Sequence, residues 1–149
     1  MSDSNSSLAG YNSSVTINMV NNTGGNAIIT LSHRYSDDKP QVSPDTKVAN
    51  GETIKSLLVA GFNLGPGRTG RDYWWVGVQV LDGPNAGFYR SDGSADEPKK
   101  QCICRKADNK TTATFTIDTK TFLIGLLSGP CTTSLNRLSA ELVDADKDL

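Results

Sequence analysis

Polar and apolar residues alternate with a period of two over much of the chain. In residues 14–20, Val15, Ile17 and Met19 fall on one side and Thr16 and Asn18 on the other. Successive side chains of a strand point to opposite faces, so this pattern predicts a half-buried strand. Residues 21–26 form a turn cluster of Asn, Thr and Gly that can supply positive φ. Residues 27–34 then return with Ala27, Ile29, Leu31 and His33 in one phase. Together the two segments predict a β-hairpin. Further strands are predicted at 54–60, 72–81, around Phe88 and Tyr89, and at 101–106, 111–117 and 121–127. The last two are joined by a short turn at Asp118 and Thr119. Residues 36–51, 61–70 and 91–100 read as loops. After Pro130, Leu135, Leu138 and Leu142 fall at helical spacing with Ser134 placed to cap them, which predicts a short C-terminal helix.

About eight short strands, with turn signals every 8–12 residues, suit a sandwich or barrel. Strands do not alternate with long helices, so α/β folds lose. The expectation is an all-β chain: a single antiparallel β-sandwich with the short C-terminal helix appended. A length of 149 residues fits one domain. The expected division is a disordered arm over 1–13, the sandwich over 14–136, and a tail over 137–149 with helical spacing at its start. Only 36% of residues are apolar. Much of the polar remainder is Thr, Ser, Asn and Gly, which favour strands and turns.

Charge narrows the function classes. Fifteen basic residues balance 16 acidic ones for a net charge of −1, without the concentrated basic face that nucleic acid requires. There is no apolar run long enough for a transmembrane helix. The Ser-rich start has no apolar core of a signal peptide. The expected location is the cytoplasm, or the exterior reached without a signal peptide. Three cysteines, Cys102, Cys104 and Cys131, are an odd number, and without a signal peptide they predict free thiols. Cys102 and Cys104 would share one strand face. The only histidine is His33, too few N/S ligands for structural zinc, so neither metal nor cofactor is expected.

The candidate chemistry lies in Tyr73-Trp74-Trp75-Val76. Alternation sends the two tryptophans to opposite faces. Trp74 shares its phase with Val76, Val78 and Val80 and belongs to the core; Trp75 shares the other face with Tyr73, Gly77 and Gln79. Two readings stay open. Trp75 packs beneath the 61–70 loop, covering Gly77 and capped by Arg71 through a cation–π contact. Alternatively, Tyr73 and Trp75 form an aromatic platform flanked by Arg68 and Arg71. Aromatic faces suit sugars and quaternary-ammonium head groups, and guanidinium forks suit phosphate. Catalysis is not expected. His33 continues an apolar phase, as a satisfied core histidine would, and no nucleophile elbow or P-loop appears.

Several segments resemble the PUD family, the nematode "protein up-regulated" domains. They are Val15-Thr16-Ile17 before Asn21-Asn22-Thr23, then Leu31-Ser32-His33-Arg34-Tyr35-Ser36, Val59-Ala60-Gly61-Phe62-Asn63, and Arg68-Thr69-Gly70-Arg71-Asp72-Tyr73-Trp74-Trp75-Val76. Gly129-Pro130-Cys131-Thr132-Thr133-Ser134 is similar as well. The resemblance covers residues 14–136 and implies a β-sandwich like that of the aegerolysins, small proteins that bind membranes carrying particular sphingolipids. It supplies no catalytic residues and implies a dimer, with itself or with a relative. The expected function is a non-catalytic module that binds membrane lipid head groups or glycans through Arg68, Arg71, Tyr73 and Trp75. The alternative is a structural or interaction protein acting as a dimer without a small ligand.

Overall fold

The computed structural model describes residues 8–67 and 70–138. The chain runs through β1 (Ser13–Asn21), β2 (Ala27–Tyr35), β3 (Gln41–Val42), β4 (Thr46–Val48), β5 (Thr53–Phe62) and β6 (Asp72–Val80). It continues with β7 (Gly87–Arg90), β8 (Lys100–Gln101), β9 (Thr111–Ile117), β10 (Thr121–Ile124), β11 (Cys131–Ser134) and β12 (Asn136–Arg137). Among the described residues the one helical element is a 3-10 turn at Lys106–Asp108.

Two sheets form, in the orders β11-β10-β9-β1-β5 and β12-β7-β6-β2-β3, with β4 also paired to β2 and β8 to β6. Every pairing is antiparallel except β1 with β9, which is parallel. The alternation read from the sequence sets which face is buried. Val15, Ile17 and Met19 of β1 and Ala113, Phe115 and Ile117 of β9 are fully buried. Facing them are Ala27, Ile29 and Leu31 of β2 and Trp74 and Val76 of β6, also fully buried. The chain is an all-β sandwich, and each large side chain sealed between its sheets contributes roughly 1.5–3 kcal/mol. Trp74 sits at the centre of an aromatic chain. Its ring lies 5.0 Å from Phe115, which lies 6.0 Å from Phe122.

Several expectations are corrected. β1 and β2 do not form a hairpin: β1 pairs with β5 and β9, and β2 with β3, β4 and β6. Residues 22–26 instead carry the chain from one sheet to the other. The buried Asn21 side chain holds this corner, donating to the carbonyls of Gly25 and Val48 at 2.9 Å each. Two strands that both bury one apolar face can face each other across a core as readily as they can pair edge to edge, and alternation does not tell these apart. The predicted 36–51 loop contains β3 and β4, strands too short to show a period. The predicted 101–106 strand stops at Gln101, where the chain turns toward the 3-10 segment.

The predicted 121–127 strand is shorter than its apolar run. β10 ends at Ile124, and Leu127 is 60% exposed. At the C-terminal end, Ser134 closes β11 and Asn136–Arg137 form β12, while Leu135 between them is buried in the core. Leu135 and Leu138 therefore lie on a crossover from one sheet edge to the other. The part of the predicted helix from residue 139 onward, and residues 1–7 of the arm predicted over 1–13, lie outside the described residues. Of that arm, Tyr11 packs edge-on against Tyr35 at 6.0 Å and donates to Asp38 at 3.0 Å.

Cys102 and Cys131 form a disulfide with their Cα atoms 6.0 Å apart, which corrects the expectation of free thiols at these two positions. Counting cysteines shows that one must be left over, but only the fold brings β11 beside the segment after β8. The bond ties β11, at the edge of one sheet, to the segment that follows β8 in the sheet containing β6. Cys104 is the remaining free thiol, and it is buried.

Candidate functional site

Two constellations hold chemistry-bearing side chains, one inside the sandwich and one on its outer face.

The inner one gathers around His33, which is fully buried on β2. Its Nε2 lies 2.7 Å from Oδ1 of Asp72 and its Nδ1 lies 3.1 Å from Oε1 of Gln41. Gln41 is itself oriented by one residue of β5. Its Oε1 accepts from the Gly61 amide at 2.7 Å and its Nε2 donates to the Gly61 carbonyl at 3.1 Å. Asp72 Oδ2 accepts from the Cys104 amide at 2.9 Å. The imidazole also packs 4.4 Å from the Trp74 ring. His33 is thus the satisfied core histidine that its apolar phase predicts.

A Cys, a His and an Asp in one cluster invite comparison with a nucleophilic triad, but the order is wrong. Asp72 lies between His33 and Cys104, whereas a working triad places the imidazole against the thiol. Burial pushes the Cys104 thiol far up, and the negative charges of Asp72 and Asp108 push it further. A thiol held neutral is a poor nucleophile. The ligand atoms of His33, Asp72 and Cys104 lie within 4.8 Å of one another. They supply three ligands where a structural zinc takes four, and the His33–Asp72 contact is already a direct hydrogen bond. The cluster locks β2, β3, β5 and β6 together.

The outer constellation lies on the solvent face of the sheet containing β6. Strand register sets it in rows. Ser32 of β2 pairs with Trp75 of β6; Thr30 pairs with Gly77, which pairs in turn with Arg90 of β7; Ile28 pairs with Gln79, which pairs with Phe88. Gly77 leaves a gap in the middle row, and Trp75 lies down into it. A Cβ built on Gly77 would stand 2.4 Å from Cη2 of the indole. The result is a shallow cleft of about 250 Å³. Its apolar part is Ile28, Trp75, Phe88 and Leu138, and its polar rim is Thr30, Asp45, Gln79 and Arg90.

The rim is polarised. Asp45 stands on the β2 side and accepts a hydrogen bond from the Thr30 hydroxyl. Arg90 stands on the far side of Gly77. Asp45, in the link between β3 and β4, and Arg90 on β7 are separated by β2 and β6, three strand spacings or about 14 Å at the backbone. Among the described residues, two buried side-chain polar atoms lack a hydrogen-bond partner, Trp75 Nε1 and Arg34 Nε. Both belong to this sheet's outer face, in adjacent rows.

Of the four residues predicted to bind, the cleft contains Trp75. Tyr73 lies one row along, with the Arg34 guanidinium 4.9 Å above its ring. The cation–π partner on this face is therefore Arg34 on Tyr73, and not Arg71 on Trp75. Arg71 is exposed, and its backbone ties to Ser36, whose amide donates to the Arg71 carbonyl at 2.6 Å. Arg68 lies outside the described residues. Among the described residues of the 61–70 loop, none lines the Trp75 cleft. Gly61 packs under Tyr11 and Gly70 under Tyr35, at the end of the sandwich. The 91–99 loop reaches this face instead, where Ala95 accepts from the Ser32 hydroxyl at 2.6 Å. Alternation places Gln79 on the face of Trp75, but Asp45, Phe88 and Arg90 escape sequence reasoning because they come from other segments, the β3–β4 link and β7. The usable signal was Gly77, a missing side chain in a strand otherwise full of bulky ones.

Residues 12–142 match the PUD family, described as up-regulated in long-lived daf-2. No curated protein matches the chain. Among the described residues, no helix is long and apolar enough to cross a membrane.

Proposed function

The chain belongs to the PUD family, and from that premise we propose that it is a non-catalytic binding module whose site is the Trp75 cleft. It takes a small polar group that has one apolar face, displayed as a lipid head group or at the end of a glycan. The observation that carries this reading is the gap at Gly77 with Trp75 lying in it, ringed by Asp45, Gln79 and Arg90. An outward indole on a strand is exposed at a cost, and a flat aromatic surface beside fixed polar groups is how proteins hold polar ligands with apolar faces. The volume, about 250 Å³, lies below the roughly 300–1,000 Å³ of drug-sized pockets. It suits the tip of a larger molecule. The absence of catalysis is part of the proposal: the one Cys–His–Asp cluster is buried, ordered wrongly for nucleophilic attack, and already hydrogen-bonded.

Co-sedimentation with vesicles (sphingolipid-rich, anionic and neutral, each at two salt concentrations), with glycan-bearing beads in parallel, tests the reading. The wild type is expected to bind one class in a salt-resistant way. Trp75→Ala and Gly77→Ala should both abolish that binding. Gly77→Ala acts by forcing the indole out of its seat, since the three atoms nearest the added Cβ all belong to the Trp75 ring. Binding that survives both changes would remove the cleft from the account. Binding to no surface, together with a dimer by sedimentation equilibrium, would favour the interaction-protein alternative.

A further inference from the structure

We infer that the cleft's ligand is a neutral pyranose ring, bound by stacking on Trp75 with its hydroxyls shared between Asp45 and Arg90. This rests on the cleft being the binding site and narrows what it takes.

Three features of the cleft select among small polar groups. The first is charge. The charged residues lining the cleft are one carboxylate, Asp45, and one guanidinium, Arg90, so the lining has no net charge to offer. A free phosphate would gain from Arg90 and lose to Asp45, and one guanidinium is less than the clusters that hold phosphate elsewhere. A simple cation meets the converse balance. Ligands without net charge lose nothing at either rim. The second is the aromatic geometry. Trp75 lies along the sheet over Gly77, so it offers one broad face. Quaternary ammonium groups are held by cages of several rings around the cation. The other aromatic lining residue, Phe88, is diagonal to Trp75 across the Gly77 row, which makes a floor and not a cage.

The third feature is the kind of polar atom at the rim. Asp45 is an acceptor already hydrogen-bonded to Thr30, which fixes its carboxylate in place. Arg90 donates only, and Gln79 both donates and accepts. Neighbouring hydroxyls on a ring each donate one hydrogen bond and accept others, so they match an acceptor and a donor set on opposite sides of one face.

The test is saturation-transfer NMR on the full chain with methyl glycosides of glucose, galactose and mannose, each in parallel with phosphocholine and inorganic phosphate. At least one glycoside should receive magnetisation, and Asp45→Asn and Arg90→Gln should each weaken its affinity about tenfold. Both residues are exposed, so the variants are expected to fold, and unchanged melting temperatures confirm that. Transfer to phosphocholine and to no sugar would overturn the pyranose assignment while leaving the cleft as the binding site. Transfer to sugars that is unchanged in both variants and in Gly77→Ala would overturn the assignment by placing the sugar elsewhere. Silence from every probe would overturn it together with the reading it rests on. If a glycoside binds, vesicles carrying the same sugar on a ceramide then show whether the ring is presented at a membrane or on a free glycan.

Discussion

Asp72→Ala should cost about 4 kcal/mol of stability. Asp72 is 1% exposed, at the start of β6, and its two oxygens serve two buried donors. Oδ1 meets His33 Nε2 at 2.7 Å and Oδ2 meets the Cys104 amide at 2.9 Å. An alanine strands both in a core where water cannot replace the carboxylate. Each stranded donor costs roughly 1–3 kcal/mol, and removing one member of a buried, hydrogen-bonded pair of ionisable groups costs about 3–5 kcal/mol. Domains have roughly 5–15 kcal/mol in total, so the variant folds over most of that range. At roughly 2–4 °C per kcal/mol the melting temperature should fall by about 8–16 °C. Urea unfolding followed by tryptophan fluorescence measures it directly, because Trp74 packs against His33 and loses its environment when the core opens. A loss below about 1 kcal/mol would refute the claim that this cluster locks the sheets. The double variant His33→Leu/Asp72→Leu sharpens the test, since it leaves no polar group of the pair unpaired. It should cost well under the sum of the single losses. Additive losses would show that the two side chains do not act as a unit.

Other outcomes follow from the same structure. Cys131→Ser, or reduction of the Cys102–Cys131 bond, releases a loop of 29 residues' separation. It should cost roughly 3–4 kcal/mol, read as a lower urea midpoint in the presence of reductant. The neutral Cys104 thiol contributes stability that is complete below the unfolded thiol's pKa of about 8.5 and is lost as pH rises above it, by up to about 1.4 kcal/mol per pH unit. Cys104→Ala should flatten the stability profile between about pH 8.5 and 10. Tyr11, whose phenol is pushed up chiefly by burial, adds a loss of the same sign only above about pH 10. A wild-type profile already flat in that window would show that the unfolded state ionises no thiol that the fold keeps neutral.

Much of the fold is legible because one physical rule, alternation, governs which residues can enter the core. It assigns Trp74 inward and Trp75 outward, and predicts β1, β2, β6, β9 and β10 as strands with their buried faces. It is silent about which strand lies beside which. Hence the hairpin expected from β1 and β2 proves to be a corner, and the helix expected at Leu135 and Leu138 proves, as far as Leu138, to be a crossover with one buried residue. The disulfide is hidden for the same reason, since Cys102 and Cys131 meet only once the edges of the two sheets are closed by β11 and β12. For the candidate site, the sequence marks the outward Trp75 and the glycine two residues on. It points to arginines from the adjacent loop because they are near in sequence. The structure puts Arg90 there instead, from the next strand, because antiparallel register sets it opposite Gly77.

The most direct test of the central claim uses the two tryptophans as each other's control. The Trp74 indole donates to the Cys102 carbonyl at 2.9 Å inside the core, whereas the Trp75 indole has no partner. In a 1H–15N spectrum each should give one side-chain signal, assigned by Trp75→Phe. Titration with the vesicle or glycan class that the protein sediments with should move the Trp75 indole signal and leave that of Trp74 in place. A saturating titration in which the Trp75 signal stays fixed would contradict the account, because no ligand could occupy the cleft without touching that ring.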